Sequence, residues 1–319
     1  MTTTSAGPAP TIASPAPPRR RRSGGGAPYL VFLVPGALLL LVVILLPLVM
    51  NVGISFTTWT GVGTPEWTGF DNYERLFSDG AFWASFRHNV GLIVAMAILP
   101  TLAGLVVAAA LFDVVGTRFG PRAAAVLRAC VYLPQIVPVA VAGIIWSWML
   151  APRDGALNRL LEATGLASLA QDWLGDPDLA LYSVMGVLVW FQLGYPVVIF
   201  VAGLQRVDPA LYEAAELDGA SWWRRFWHIT VPQIRPEIFV VVLTCTIAAL
   251  KVFGPIYVLT RGGPGGATSV PSYLSYQSFF EKTQVGYGAA IATVLTVLIL
   301  LLTAGFLRLQ NRAEGGERS

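Results

Sequence analysis

Six long apolar stretches alternate along this chain with polar, turn-rich connections, and none of them has the two-residue alternation of a half-buried strand. They run over residues 29–56, 89–112, 124–150, 179–204, 237–260 and 286–307. Each reaches the length of about 20 residues that carries a helix across ~30 Å of hydrocarbon. Helix is the type this pattern predicts, because a backbone facing lipid has to satisfy its own hydrogen bonds. The expected fold class is an all-α polytopic membrane protein with six transmembrane helices.

The segments between and around the runs complete the organisation. Residues 1–28 are rich in Pro, Ala, Ser and Gly and carry Arg19, Arg20, Arg21 and Arg22, a composition that builds no core and reads as a disordered tail. A signal peptide also places basic residues before an apolar run. Here the run is longer than the ~7–15 residues of a signal core and has no small-residue cleavage site, so it reads as an uncleaved first span, 29–56. An extracytoplasmic loop is expected at 57–88, a five-helix core at 89–308 with a cytoplasmic loop at 205–236 inside it, and a cytoplasmic tail at 309–319. Trp59, Trp67, Trp83 and Trp173 lie in the outer connections 57–88 and 151–178, where tryptophan suits the membrane interface.

Composition agrees with this picture. Of the 319 residues, 55% are hydrophobic and only 12% charged, against roughly 25% charged in soluble domains, and mean hydropathy is +0.64. The net charge of +3 is not gathered into the patch a nucleic-acid binder needs. Instead it reports topology: with the N-terminus inside, the inner segments hold 14 Lys or Arg and the outer loops six. Both termini are therefore expected in the cytoplasm. Cys130 and Cys245 both fall within apolar runs, where a cysteine behaves as a small hydrophobe.

The connection at 205–236 carries the most chemistry. Asp208 followed by Pro209 is a helix start, with a capping carboxylate and proline at the first helical position. Gly219 supplies the stop. On a helical wheel Ala210, Leu211, Ala214, Ala215 and Leu217 share one face, opposite Tyr212, Glu213 and Glu216. Ser221 can cap a second helix with Trp222, Trp223, Phe226 and Trp227 on one side and Arg224, Arg225 and His228 on the other, before Pro232 and Pro236 break it. The pattern predicts a helix–turn–helix elbow at the membrane surface. An amphipathic interfacial linker would share this shape.

The residues go further than the shape. EAAELDGASWWRRFWHITVP, residues 213–232, resembles the EAA loop of permease subunits of binding-protein-dependent ABC importers, with Glu213, Ala214, Ala215, Asp218, Gly219, Ile229 and Pro232 at the expected spacing. YLPQIVPVAVAGIIWSWML at 132–150, WLGDP at 173–177, AGLQRVDPALYEAA at 202–215 and KVFGPIYVLTRGGPGG at 251–266 resemble the carbohydrate-uptake branch of that family. The resemblance covers about residues 30 to 308. It implies the type-1 ABC importer permease fold in a bacterial cell membrane, with those seven residues coupling the chain to an ATPase. Its partners would be a second homologous permease, two cytoplasmic ATPase subunits and an extracytoplasmic solute-binding protein, with ATP and Mg held by the ATPases and no cofactor on this chain. A P-loop is missing from the sequence, since neither Lys251 nor Lys282 follows a glycine.

A path for solute is sought in the fourth and fifth runs. Gly194-Tyr195-Pro196 should bend the fourth helix and free carbonyls beside Gln192 and Tyr195, although such residues also serve packing alone. Lys251 is the charge within the fifth run, and it either snorkels outward or faces a wet cavity. Thr244, Ala248 and Lys251 form one helical stripe. By position in the family, Leu193, Gly194, Val197, Thr244, Ile247, Ala248 and Lys251 would line a sugar path. The alternative class, an ion-gradient-driven carrier or channel, usually needs intramembrane carboxylates, and no Asp or Glu falls centrally in any run. A membrane enzyme is disfavoured, because His88 and His228 fall on opposite sides.

Overall fold

The computed structural model describes residues 27–316. The basic Pro-rich tail expected at 1–28 lies almost wholly outside them. The chain divides into two compact units, 1–49 and 50–319. The first contributes most of one helix, Phe32–Ile54, whose side chains from Phe32 to Leu46 are all exposed, as suits a rod meant for lipid.

Within the second unit the fourth and sixth expected spans are continuous helices, Ala180–Leu204 and Val285–Gln310. The sixth runs on as helix to Gly316, into the segment expected as a tail. The second, expected from residue 89, is the inner part of a 34-residue helix, Gly80–Asp113. It starts early because the Asp79 side chain caps it, accepting from the Ala81 amide at 2.8 Å.

Two spans depart from the expectation of straight rods. The third is a pair, Arg122–Ile136 and Val139–Met149, bent by 95°. The break falls at Val137 because a residue before proline is pushed out of the helical region, and Pro138 itself is extended (φ −54°, ψ 133°). The fifth, expected at 237–260, ends as Arg235–Leu250, and a separate short helix, Gly254–Leu259, follows. Pro255 explains the stop. Its ring would strike the carbonyl of Lys251, four residues back, and it has no N–H to offer it.

The outer connections are built rather than loose. Residues 57–88 hold a two-stranded antiparallel ribbon, Thr57–Thr58 with Glu66–Trp67, and a helix, Asp71–Ser78. In 151–178 the buried Asn158 donates to the Pro152 and Gln171 carbonyls and accepts from the Trp173 indole at 2.7 Å. Trp173, half-buried, thus also braces the connection from within.

Among the described residues, three buried clusters follow one another through the second unit. One joins Val197, Phe200 and Leu204 of the fourth span to Val241 and Cys245 of the fifth and to Phe226 and Ile234 of the elbow. A second centres on Leu92, Val184, Leu188, Ala249 and Ile256, and a third packs Leu76 and Phe82 on Tyr287 and Ile291. At the third, Asp79 accepts from the Tyr287 phenol at 2.6 Å, and the Arg75 guanidinium lies 4.1 Å from the centre of the Tyr287 ring.

Burial of Asp79 opposes its ionisation, but the Tyr287 hydrogen bond, the amides of Ala81 and Phe82 and the Arg75 charge outweigh it and hold the carboxyl below its usual value. A depressed folded pKa means that the ionised group stabilises the fold above the unfolded pKa of about 3.9, and that this is lost as pH falls through the folded value. Asp79→Ala should cost about 1–2 kcal/mol at neutral pH through the lost cap and hydrogen bond. Thermal unfolding in detergent should show the gap between the two proteins narrowing below pH 4.

Candidate functional site

The elbow forms by the local rules its sequence carries. Asp208 accepts from the Ala210 amide at 3.0 Å and starts the helix Pro209–Leu217. At its end Gly219 takes φ +72°, its N–H reaches the Glu216 carbonyl at 3.0 Å, and the Ala220 N–H reaches that of Ala215 at 2.9 Å. This pair of bonds is the Schellman motif, which needs the left-handed conformation that glycine adopts freely. Ser221 then caps the second helix by accepting from the Arg224 amide.

The second helix, Trp222–Gln233, passes through Pro232, and a π-helical stretch, Phe226–Thr230, precedes that residue. The break expected at Pro232 comes two residues later, at Ile234, with a 74° turn into the fifth span. Pro236 sits in the first turn of that span, where its missing N–H costs nothing.

The faces expected from the helical wheel are kept, with Tyr212, Glu213 and Glu216 lining one recess. Tyr212 turns inward from that face, and its hydroxyl meets that of Thr230 at 3.1 Å. Burial raises its pKa above the usual tyrosine value. Arg225, assigned opposite the aromatics, is also tucked in, with a side chain 19% exposed that reaches Glu216 at 3.2 Å. Trp223 and Trp227 stay exposed, while Phe226 is buried and Trp222 half-buried.

Outward, the elbow presents a surface of small residues and carboxylates. Glu213, Ala214, Asp218, Gly219 and Pro232 are exposed, Ala215 and Ile229 are half-buried, and Leu217 is 90% exposed. The base of the elbow is closed by an ion pair between Arg206 and Glu237, just beyond the end of the fourth span and in the first turn of the fifth. Gly203 makes this approach possible, since a Cβ there would stand 3.0 Å from the Glu237 side chain.

The face between the fourth and fifth spans sorts the other candidates. Thr244 and Lys251 are exposed, and Leu193, Ile247 and Ala248 are half-buried. The Thr244 hydroxyl, bonded to the Val240 carbonyl at 2.8 Å, lies 3.1 Å from the Tyr195 hydroxyl. Gly194 and Val197 are buried instead: Val197 is 0% exposed, and a Cβ on Gly194 would meet the Val131 carbonyl at 2.7 Å. The bend expected at Pro196 does not occur, for Leu193 keeps helical angles and the span is unbroken. The polar groups near it are shared within the protein. Gln135 donates to the Phe191 carbonyl at 2.9 Å, and Gln192 donates to the Cys245 sulfur at 3.2 Å.

Lys251 caps the end of the fifth span and lines a recess of about 410 Å³ with Leu250, Ser272, Ser275, Leu295 and Thr296. Nearby, residues that the sequence pattern did not single out tie down the broken backbone. Asn89, 0% exposed, donates to the Ala249 carbonyl at 3.0 Å, and the Ser272 hydroxyl donates to the Val252 carbonyl. An asparagine inside an apolar run was the available signal for the first.

Comparison with known proteins places this architecture. Residues 101–314 match the family model described as binding-protein-dependent transport system inner membrane component. The chain is 38% identical over 260 residues to the probable ABC transporter permease protein YurN of Bacillus subtilis, covering 81% of this chain and 87% of that one. It is 34% identical to the diacetylchitobiose uptake system permease protein NgcF of Streptomyces coelicolor (85% and 78% covered) and 35% identical to the trehalose/maltose transport system permease protein MalF of Thermococcus litoralis (78% and 81%). Its fold is similar to a chain in the crystal structure of a bacterial ABC transporter involved in the import of the acidic polysaccharide alginate, with a TM-score of 0.77 at 22% identity, covering 89% of this chain and 95% of that one.

Proposed function

Because the chain belongs to the family of binding-protein-dependent transport system inner membrane components, we propose that it is one permease of an ATP-driven importer for an oligosaccharide or related carbohydrate. In this reading it supplies half of the translocation path and pairs with a second, similar permease. Two cytoplasmic ATPase subunits bind and hydrolyse ATP with Mg, and an external solute-binding protein delivers the solute. The termini and the elbow lie in the cytoplasm.

The observation that carries the reading is the elbow. Its first helix is fixed at both ends, by the Asp208 cap and the Gly219 turn, and it offers Glu213, Ala214 and Asp218 to solvent on a surface that a partner's groove can approach closely. Ile229 and Pro232 shape the second helix behind it. Carbohydrate as the solute class is supported by relatives named for diacetylchitobiose, trehalose/maltose and xylose/arabinose transport. A crystal structure of similar fold holds a transporter in complex with a sugar-bound periplasmic protein, which supports the external partner.

Affinity purification of the tagged chain from its own membranes tests the assignment. ATPase subunits and a second permease should be recovered with it, and their reproducible absence would count against coupling. For the path, Lys251→Gln and Thr244→Val should each lower uptake several-fold with ATPase recovery unchanged, the pattern of a lost solute contact. Full uptake by both variants would remove these two residues from the path.

A further inference from the structure

The elbow touches more than the two spans it joins, and the extra contact is built around one carboxylate. We infer that Asp113 is a positioning residue that braces the elbow against the cytoplasmic end of the second span, so that ATP-driven movement reaches the second span directly. The inference rests on the reading of residues 205–236 as the coupling loop.

Asp113 lies in a π-helical stretch, Leu111–Val115, beyond which the chain runs on as helix from Gly116. A carboxylate half-buried in this way needs a cation nearby. The elbow provides it. Asp113 and Arg225 line one recess of about 550 Å³ together with Phe112, Val207, Tyr212, Glu213 and Glu216. The Arg225 Nε and the Trp222 Nε1 are buried donors that make no hydrogen bond of ordinary geometry among the described residues, and the Arg225 guanidinium shares the recess with Asp113.

Apolar contacts surround this charge. The Phe112 and Tyr212 rings lie 6.5 Å apart, and Leu111 shares a buried cluster with Phe226. Two π-helical stretches, Leu111–Val115 and Phe226–Thr230, therefore contribute to one junction, and such distortions often mark functional positions in helices. Arg225 pairs with Glu216 at 3.2 Å and lines the same recess as Asp113, so it links both elbow helices to the span.

The test measures whether the two parts move together. Spin labels on Cys introduced at the exposed Phe119 and Leu217, with Cys130 and Cys245 replaced by serine, report the separation of the second-span end and the elbow in the purified transporter. ATP with vanadate is the probe. With Asp113 intact one narrow distance distribution should persist with and without nucleotide. In Asp113→Ala, and in Asp113→Asn, which keeps the shape but not the charge, the distribution should broaden and shift when nucleotide binds, and Asp113→Glu should restore it. ATP-driven uptake should fall about tenfold in the first two variants, within the usual range for coupling between sites. A distribution in Asp113→Asn that matches the parent in both states would overturn the brace. Absence of ATPase from the purified parent would overturn the coupling reading instead.

Discussion

A Gly219→Asp variant is expected to reach the membrane in normal amounts and to lose ATP-driven uptake. Nothing stands within 4 Å of where a Cβ at Gly219 would point, so the substitution meets no neighbour. It does place a non-glycine residue at φ +72°, at a cost of about 1–2 kcal/mol, less for Asp than for most residues. That cost falls on the exposed turn itself, away from the buried clusters. The functional cost is larger, because a side chain and a second negative charge beside Asp218 are set on the surface assigned to the ATPase groove. Membrane quantity, ATPase recovery and uptake should be measured side by side, with Gly219→Ala to separate backbone strain from charge. Normal uptake with Asp at this position would argue strongly against coupling through the turn.

Gly194→Val should instead destabilise the fold itself. Its Cβ would come within 2.7 Å of the Val131 carbonyl oxygen and 2.8 Å of the Tyr132 α-carbon, both backbone atoms of the neighbouring helix, so no side chain can rotate away. The two helices have to separate, at a cost of about 1–3 kcal/mol or more. Gly186 on the same span has nothing within 4 Å of its Cβ direction and gives the matched control. Thermal unfolding followed by size-exclusion chromatography in detergent should show a clear fall for Gly194→Val and little change for Gly186→Val. Equal behaviour of the two would show that this helix contact is slack.

The contrast between these glycines shows what the sequence could and could not tell. Apolar length found the four continuous long helices, and capping rules found both ends of the first elbow helix at Asp208 and Gly219. Prolines were harder. Pro138 and Pro255 end helices where a hydropathy window sees only continued apolarity, while Pro196, which looked like a bend, is absorbed in a continuous span. Whether a proline breaks a membrane helix depends on neighbours that take up the freed backbone groups, and those come from other helices. Tyr212 and Arg225 show another limit. A wheel groups residues by face but does not say which face turns inward, and here a phenol with Thr230 beside it and a guanidinium with Glu216 beside it do so.

The Pro255 stop bears on how wet the interior is. A helix of 16 residues, Arg235–Leu250, is roughly 24 Å long, short of the ~30 Å of the hydrocarbon layer. Beyond it, peptide groups that a full-length rod would have paired with one another sit at a depth where lipid offers them nothing. Asn89 and Ser272 take two of those carbonyls, and beside the gap Lys251, Ser272, Ser275 and Thr296 set one ammonium and three hydroxyls into a recess otherwise lined by apolar side chains. The foothold for water at this break is therefore narrow, confined to those four groups.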